Sequence, residues 1–260
     1  MSVRKPNLIK AQGEAFKLNK RYACRKPGSL DFEDVAFALN VLVIHGGLKG
    51  AAARLTRNNK EGRIRVNSRI QQEGAKRFAI GHELGHWLMH ESEDQIFMCT
   101  SSDLRDYHQS PLEAEANYFA SELLMPTGLF RPMMEKSEPD LVRISEWAGL
   151  FRASLTAATL RFIRESKHDC IAASIKNGRV EWSWRKQDGR RVWLKSAQAV
   201  EPGSIAWEIQ NGRAAPEQME AVDSDAWFRH LPFKFSGEVQ EQSIHMPQYG
   251  SIFSLLWITS

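Results

Sequence analysis

The sequence predicts an α+β fold, and three observations lead to that prediction. Residues 1–130 mix apolar patterns of helical and of strand period, residues 139–165 carry helical patterns only, and residues 167–260 read mainly as short strands. A chain of 260 residues is usually long enough for more than one domain. We therefore expect an N-terminal α+β domain at 1–130, a helical connector at 131–166 and a mainly β domain at 167–260.

The composition excludes several classes of protein. Hydrophobic residues make up 42% and charged residues 25% of the chain, which is typical of a globular protein and not of a disordered one. The three cysteines are far apart, which fits neither a disulfide framework nor a cysteine zinc site and favours the cytoplasm. The sequence contains no apolar run of about 18 residues, so we expect no membrane span. The net charge of +4 is spread along the chain and does not indicate nucleic-acid binding.

The first elements are a helix and two strands. Residues 31–42 have apolar residues at helical spacing after Ser29, a candidate N-cap, and run into a strand at 41–44 that His45-Gly-Gly ends. Residues 61–70 alternate apolar and polar side chains, as in a half-buried strand. At a sheet edge, that strand could hold an extended peptide by strand addition; an ordinary structural strand is the alternative.

Four amphipathic helices follow, separated by a long polar loop. Their apolar residues recur at helical spacing, Pro126 closes the second helix, and Ser154 is a candidate cap for the fourth. The predicted helices are 75–89, 112–124, 141–150 and 155–164, and the predicted loop is 91–110. The last helix has Arg161 and Arg164 only at its end, whereas a recognition helix reads bases from its start, so we expect it to pack structurally and not to contact DNA.

The C-terminal residues predict a small antiparallel sheet. Turns at Asn177-Gly178 and Asp188-Gly189 separate three segments that we predict to be a meander. The predicted strands are 170–175, 179–184, 190–195 and 251–258, with a short helix at 204–210. If Trp182 and Trp184 share a face with Val180, they fill a core; an aromatic ligand pocket is the alternative.

The motif His82-Glu83-Leu84-Gly85-His86 carries the most specific chemical signal. Histidines four residues apart project from one face of a helix, so both imidazoles can reach one zinc ion. Glu83 borders the same site and can take a proton from water and return it to a leaving amine, which is the chemistry of peptide hydrolysis. Two histidines on the surface of a helix are the alternative interpretation.

A catalytic zinc needs a third protein ligand, and four residues are candidates. His90 lies one helical turn, about 5.4 Å, beyond the pair, so we assign it to the helix end. His108 lies in the polar loop, where the sequence does not place it. Glu113 lies on the apolar stripe of its helix and Glu115 on the polar side, so we predict Glu113 as the ligand, because a charge facing inward needs a partner; a charge that favours the helix N-terminus is the alternative.

These segments resemble the ImmA/IrrE family of zinc-dependent metallopeptidases, which are zincin-like. The resemblance rests on GRIRVNSRI, AKRFAIGHELGHWLMH and EAEANYFASELLMP, which cover roughly residues 30–130. It places the zinc ligands on His82, His86 and Glu113 and the catalytic acid on Glu83. Manganese is an alternative metal in the cell.

The resemblance also implies a function. It implies an endopeptidase that cleaves a helix-turn-helix repressor and thereby switches on stress, phage or mobile-element genes, with a helix-turn-helix-like connector. Direct DNA binding is not expected, given the position of Arg161 and Arg164. The alternative is a non-catalytic metal-binding regulator that binds DNA or a repressor. The resemblance does not reach residues 167–260, for which a sensory role is one interpretation. Candidates for stabilising the oxyanion are His45, Tyr107 and His108. Cys99 is more simply a free thiol than an inhibitory ligand.

Overall fold

A computed structural model of the chain contains two compact units. It describes residues 4–58, 60–90, 110–186, 189, 191–233, 235 and 237–259, and residues 97–99 by their backbone alone. Unit 1 comprises Met1–Pro132 with Ala148–Ser154, and unit 2 comprises Met133–Trp147 with Leu155–Ser260. The chain contains both helices and strands, and the region after residue 168 is mainly strand, so the α+β class is confirmed.

The elements up to residue 151 are helices and the strands of one sheet. In chain order the elements are α1 Leu8–Arg21, α2 Phe32–Ala38, β1 Val41–Gly46, β2 Ala53–Asn58, β3 Glu61–Asn67, α3 Glu73–Met89, β4 Phe97–Cys99, α4 Pro111–Leu124, α5 Thr127–Met134 and α6 Leu141–Phe151. The predicted helix 75–89 is α3 and the predicted helix 112–124 is α4, each within two residues of its predicted ends. Apart from β4, the predicted loop 91–110 lies outside the described residues, except for Ser110.

The sheet of unit 1 has four described strands in the order β1-β3-β2-β4. Strand β3 pairs with β1 in parallel and with β2 in antiparallel register, so it lies inside the sheet. The interpretation of residues 61–70 as a peptide-binding edge is therefore wrong, because both edges of that strand are already hydrogen-bonded. The alternation does mark which side chains face the core: Ile64 and Val66 are fully buried, and Arg63 and Arg65, which alternate with them, are exposed.

Two helix starts differ from the sequence-based expectation. Helix α2 begins after Asp31 and not after Ser29, because the Asp31 carboxylate accepts hydrogen bonds from the Glu33 and Asp34 backbone nitrogens. Helix α1 was not predicted; it packs along α4 and buries Ala11, Ala15 and Leu18. Because of this contact, one side of α4 is covered by α1 and not exposed to solvent.

Unit 2 is built on a five-stranded sheet in the order β6-β5-β9-β8-β7. Its further elements are α7 Leu155–Glu165, β5 Asp169–Lys176, β6 Arg179–Arg185, α8 Ile205–Gln210, β7 Glu220–Val222, α9 Asp225–Phe228, β8 Glu238–Met246, a 3-10 turn Pro247–Tyr249 and β9 Ser251–Thr259. All the strand pairs are antiparallel. One face of the sheet packs on α8 and on the fully buried Trp227 of α9.

The predicted meander is only partly present. The hairpin of β5 and β6 turns at Asn177-Gly178, both in left-handed conformation, as expected. The third predicted strand, 190–195, is wrong: residues 191–195 form no strand, and the outer side of β6 bonds instead to residues 197–199, through an isolated bridge of Arg179 with Ala199. On its other side β5 pairs with β9, about eighty residues further along the chain, and nothing local in the sequence shows that pairing.

A β-bulge changes which face of β6 the tryptophans occupy. Ser174 pairs with Trp182 and Ile175 with Val180, so the register shifts by one residue between them. The shift moves Trp182 and Trp184 to the face opposite Val180, and both remain half-buried. There Trp182 packs against Phe253, and Arg164 of α7 lies over the Trp184 ring. The expectation that they fill one core with Val180 is therefore wrong.

Among the described residues, the helices are either too short or too polar to cross a membrane.

Candidate metal centre

Helix α3 carries the His-Glu-x-x-His motif on its buried side. His82, Glu83 and His86 are each 0% exposed. Burial of three polar side chains on one helix is costly unless they bind partners. The histidines are one helical turn apart, and their Nε2 atoms lie 3.0 Å from each other.

Two glycines of α3 allow α4 to approach closely. A Cβ atom at Gly85 would lie 3.1 Å from the Ala116 Cα atom, and one at Gly81 would lie 3.4 Å from the Ala120 Cβ atom. The first distance is shorter than ordinary packing contacts and the second is at their lower limit, so glycine at these positions favours the close approach. The close helix pair brings Glu113, in the first turn of α4, opposite the two histidines.

The three predicted metal ligands converge on one point. The Glu113 carboxylate places one oxygen 3.1 Å from the His82 Nε2 atom and the other 3.2 Å from the His86 Nε2 atom. Among the residues that the structure describes, this is the group of three His, Cys, Asp or Glu side chains whose donor atoms could hold a metal ion.

Hydrogen bonds behind the histidines orient both Nε2 atoms towards this point. The His82 Nδ1–H donates to the Asn117 side-chain oxygen at 2.8 Å, which leaves the lone pair on Nε2. His86 has its Nδ1 atom 2.8 Å from the Nδ1 atom of His90, whose Nε2 atom lies 2.9 Å from a Glu115 oxygen. Each ring therefore has an outer partner, as in metal sites of known proteins.

The electrostatics favour positive charge where the three side chains meet. Burial opposes protonation of His82, but the hydrogen bond and charge of Glu113, with the Glu83 charge, raise its pKa above the ordinary value. Burial and the neighbouring His82 lower the pKa of His86 to about 4. Burial also opposes ionisation of Glu113, yet the two histidines hold its pKa well below the usual range. A cation at this point satisfies all three groups.

The donor set fits a zinc ion. Tetrahedral zinc has bonds of about 2.0–2.1 Å, so its ligand atoms lie about 3.3–3.4 Å apart. The observed separations of 3.0, 3.1 and 3.2 Å are close to that edge length. Two imidazoles and one carboxylate are a donor set typical of catalytic zinc, and three protein ligands leave a position open. Manganese also accepts these donors, so the geometry does not select between the two metals.

The other candidates have different environments. Glu115 was expected on the polar side of its helix but is 0% exposed, more buried than Glu113, because α1 covers that side of α4. Burial alone would raise its pKa, but the Asn7 backbone, His90 and Arg4 together lower it. His90 ends α3, as predicted. His45 is exposed and bonds to Glu33.

Three further candidates lie wholly or partly outside the described residues. Tyr107 and His108, named for oxyanion stabilisation, lie outside the described residues, and only the backbone of Cys99 is described, in β4. The sequence reasoning also missed Asn117, which orients His82. Its position four residues after Glu113, one helical turn further along α4, is the signal that could have revealed it.

Positive side chains close the C-terminal end of α3. Arg57 donates to the Trp87 carbonyl oxygen at 2.8 Å, and its guanidinium lies 4.1 Å from the centre of the Trp87 ring. Lys10 of α1 donates to the Met89 carbonyl oxygen at 3.1 Å. Cations at this end stabilise a helix because they bond to its last carbonyl groups and oppose its dipole. The C-terminal end of α3 is thereby held in place next to His86.

A family model described as the IrrE N-terminal-like domain, a peptidase family, matches residues 36–162. This region belongs to the ImmA/IrrE family. The match includes α3 and α4 and therefore every member of the converging group. A solved structure of a Mycobacterium tuberculosis transcriptional regulator has a TM-score of 0.56 and 15% identity to this chain, over 96% of this chain and 87% of that one. At that identity the likeness shows a shared fold. A search of curated proteins finds no significant match.

Proposed function

We propose that this ImmA/IrrE protein is a zinc-dependent endopeptidase that cleaves a partner helix-turn-helix repressor. The observation that carries the proposal is the convergence of His82, His86 and Glu113, with Glu83 buried on the same helix. A merely structural pair of histidines would not need an acidic side chain from a second helix between them. The peptidase family of residues 36–162 supports the same chemistry.

In this proposal each residue of the site has a distinct role. His82, His86 and Glu113 would hold the metal, and Glu83 would take a proton from the attacking water and pass it to the departing amine. A bound zinc ion would supply Lewis acidity, polarising the scissile carbonyl group and lowering the pKa of water. Asn117 and His90 would keep the imidazoles aimed at the metal. Burial of Glu83 would strengthen its interaction with the reacting groups.

The substrate class follows from the family and is consistent with the rest of the chain. The structural neighbour is described as a transcriptional regulator, which fits a regulatory peptidase. Direct DNA binding is disfavoured, because α7 buries Arg161 and places Arg164 over Trp184. Cleavage would derepress stress, phage or mobile-element genes. Residues 167–260 lie beyond the family match and would be the part through which an inducing signal acts.

The test is incubation of the purified protein with the helix-turn-helix repressor encoded beside its gene. We expect fragments whose masses identify one cleavage site, and we expect a chelator to prevent their formation and added zinc to restore it. Glu83→Gln should bind zinc as the wild type does and leave the repressor intact, because the variant keeps the ligands and loses the proton acceptor. Fragment masses and metal content are measured on the same samples.

Glu220→Gln is the matched control, since it changes a carboxylate of unit 2 at an exposed ion pair with Arg213, outside the group that could hold the metal. It should cleave like the wild type. An intact repressor under all conditions, including extracts from stressed cells, contradicts the proposal. Full biological effect of Glu83→Gln with zinc bound favours instead a non-catalytic regulator that binds the repressor or DNA.

A further inference from the structure

A second layer of side chains lies behind the metal ligand His86 and extends it to the segment before α1. The His86 Nδ1 atom lies 2.8 Å from the His90 Nδ1 atom, and the His90 Nε2 atom lies 2.9 Å from a Glu115 oxygen. The other Glu115 oxygen accepts a hydrogen bond from the Asn7 backbone nitrogen at 2.7 Å, and Arg4 contacts both oxygens at 3.1 and 3.3 Å.

The direction of the hydrogen bonds along this layer is fixed from its far end. A backbone N–H at Asn7 can only donate, and so can the Arg4 guanidinium, so Glu115 acts as the acceptor there. Because a carboxylate can only accept, the His90 Nε2 atom must carry a proton. In the neutral ring this leaves a lone pair on the His90 Nδ1 atom. That lone pair in turn requires the proton of His86 to be on Nδ1. The lone pair of His86 is then on Nε2, facing Glu113 and His82.

We infer that His90 and Glu115, anchored by the segment from Arg4 to Asn7, are positioning residues that select the metal-binding tautomer of His86. The inference rests on the proposed metal site. It adds a contribution from residues outside the family match, since Arg4 and Asn7 precede residue 36. The peptide segment before α1 is thus part of the metal centre, although it lies more than seventy residues from the ligands in sequence.

Burial makes this selection effective. The side chains of His90 and Glu115 are 3% and 1% exposed, so water cannot readily replace either partner. If the His86 proton moved to Nε2, two Nδ1 lone pairs would face each other at 2.8 Å and a buried acceptor would lose its donor. An unsatisfied buried polar group costs about 1–3 kcal/mol. His82 is oriented differently, by the side-chain amide of Asn117.

The experiment measures zinc affinity by competition with a chromophoric chelator and the absorption spectrum of the cobalt(II)-substituted protein. His90→Phe keeps the ring shape and removes the acceptor, so we expect zinc affinity about 10–100-fold lower and a changed cobalt spectrum. His90→Gln offers an amide oxygen to His86 and an NH₂ group to Glu115, so it should recover most of the affinity. Unfolding of the metal-free variants shows separately whether the fold is intact.

A double-mutant cycle tests whether the residues act in series. Glu115→Gln alone should weaken zinc binding, since its NH₂ group must face one of the existing donors. Added to His90→Phe it should change zinc affinity no further, because the link to His86 is already lost. Glu33→Gln, at the exposed pair with His45, should bind zinc like the wild type.

The outcomes separate this inference from the proposed function. If the wild type binds zinc and His90→Phe and His90→Gln both bind it equally tightly with unchanged cobalt spectra, the positioning role is overturned and the peptidase proposal stands. If His90→Gln is as weak as His90→Phe although both fold, tautomer selection is also overturned. If the wild type binds no zinc, the metal site itself is wrong, and both proposals fail.

Discussion

Each unit of the protein buries carboxylates, but the groups that surround them differ. In unit 2, Glu241 is 0% exposed and accepts hydrogen bonds from the Ile205 and Ala206 backbone nitrogens, the Trp227 indole and the Ser243 hydroxyl. In unit 1, Glu113 faces the Nε2 atoms of His82 and His86, and the Nδ1 atom of each ring has a partner of its own. Neutral donors satisfy the Glu241 carboxylate. The Glu113 carboxylate instead faces two imidazole nitrogens that carry lone pairs in the arrangement that binds a metal.

The difference distinguishes a structural acid from a metal ligand. Four donors around Glu241 tie α8, α9 and β8 together, and burial raises its pKa even so. Burial opposes ionisation of Glu113, but its hydrogen-bond and charge interactions with His82 and His86 lower its pKa. Burial alone therefore does not indicate function. The nature of the atoms that face a buried carboxylate does, since a group of converging acceptors requires a cation.

The largest expected effect is a complete loss, namely of the stability that zinc binding adds. For the wild type, zinc at a hundred times its dissociation constant should raise the free energy of unfolding by about 2.7 kcal/mol. His86→Ala should show no such gain, because two donors remain where three converge. Thermal unfolding with and without zinc measures both. Equal zinc stabilisation of the variant and the wild type would show that the ion binds elsewhere.

The next effect concerns Glu241. Glu241→Leu leaves four buried donors without an acceptor, at about 1–3 kcal/mol each, so unit 2 should be destabilised by several kcal/mol. Urea unfolding followed by near-ultraviolet circular dichroism measures the loss. Glu220→Gln, at an exposed ion pair with Arg213, is the control and should change stability little. A Glu241 variant with wild-type stability would show that these four hydrogen bonds do not stabilise unit 2.

A smaller effect is expected at the contact between α3 and α4. Gly85→Ala places a methyl group 3.1 Å from the Ala116 backbone, and such overpacking costs about 1–3 kcal/mol, partly offset by about 1 kcal/mol of helix propensity. We expect a net loss of stability and weaker zinc binding, since Glu113 moves with α4. Gly13→Ala on α1 meets nothing within 4 Å and should stabilise the protein. If both variants bind zinc equally, the close approach is not needed for the site.

The smallest effect compares two thiols. Burial and the Asp169 charge raise the pKa of Cys170, so it stays a protonated thiol in mildly alkaline solution, whereas Cys24 is partly exposed. We expect iodoacetamide to label Cys24 in the folded protein and Cys170 only after denaturation. Peptide mapping by mass spectrometry distinguishes them. Equal labelling rates would show that β5 opens on the timescale of the reaction.

The sequence predicted α3 and α4 well because their information is local. Helical periodicity, the spacing of His82 and His86 and the closing Pro126 all lie within the segments concerned. It placed Glu115 on the wrong side because periodicity describes one helix and not what covers it. The cover, α1, lies about a hundred residues earlier in the chain.

The sheet of unit 2 could be predicted only in part for a related reason. The turn at Asn177-Gly178 determines a local hairpin, but the other neighbour of β5 is β9, near residue 255. The bulge moves Trp182 and Trp184 to the other face of the sheet, and no distinctive residue in β6 predicts it. Pairings between distant segments depend on competition among all the strands, which a local pattern does not contain.

Trp87 gives the metal centre its own optical label. It follows His86 directly, lies against Arg57 and Gly62, and is the single tryptophan of unit 1; the other seven of the chain's eight belong to unit 2. The emission that Trp87→Phe removes therefore comes from beside the site. A paramagnetic ion such as cobalt(II) bound one residue away would quench that emission, so fluorescence could report the occupancy of the site in real time, without a dye or a substrate.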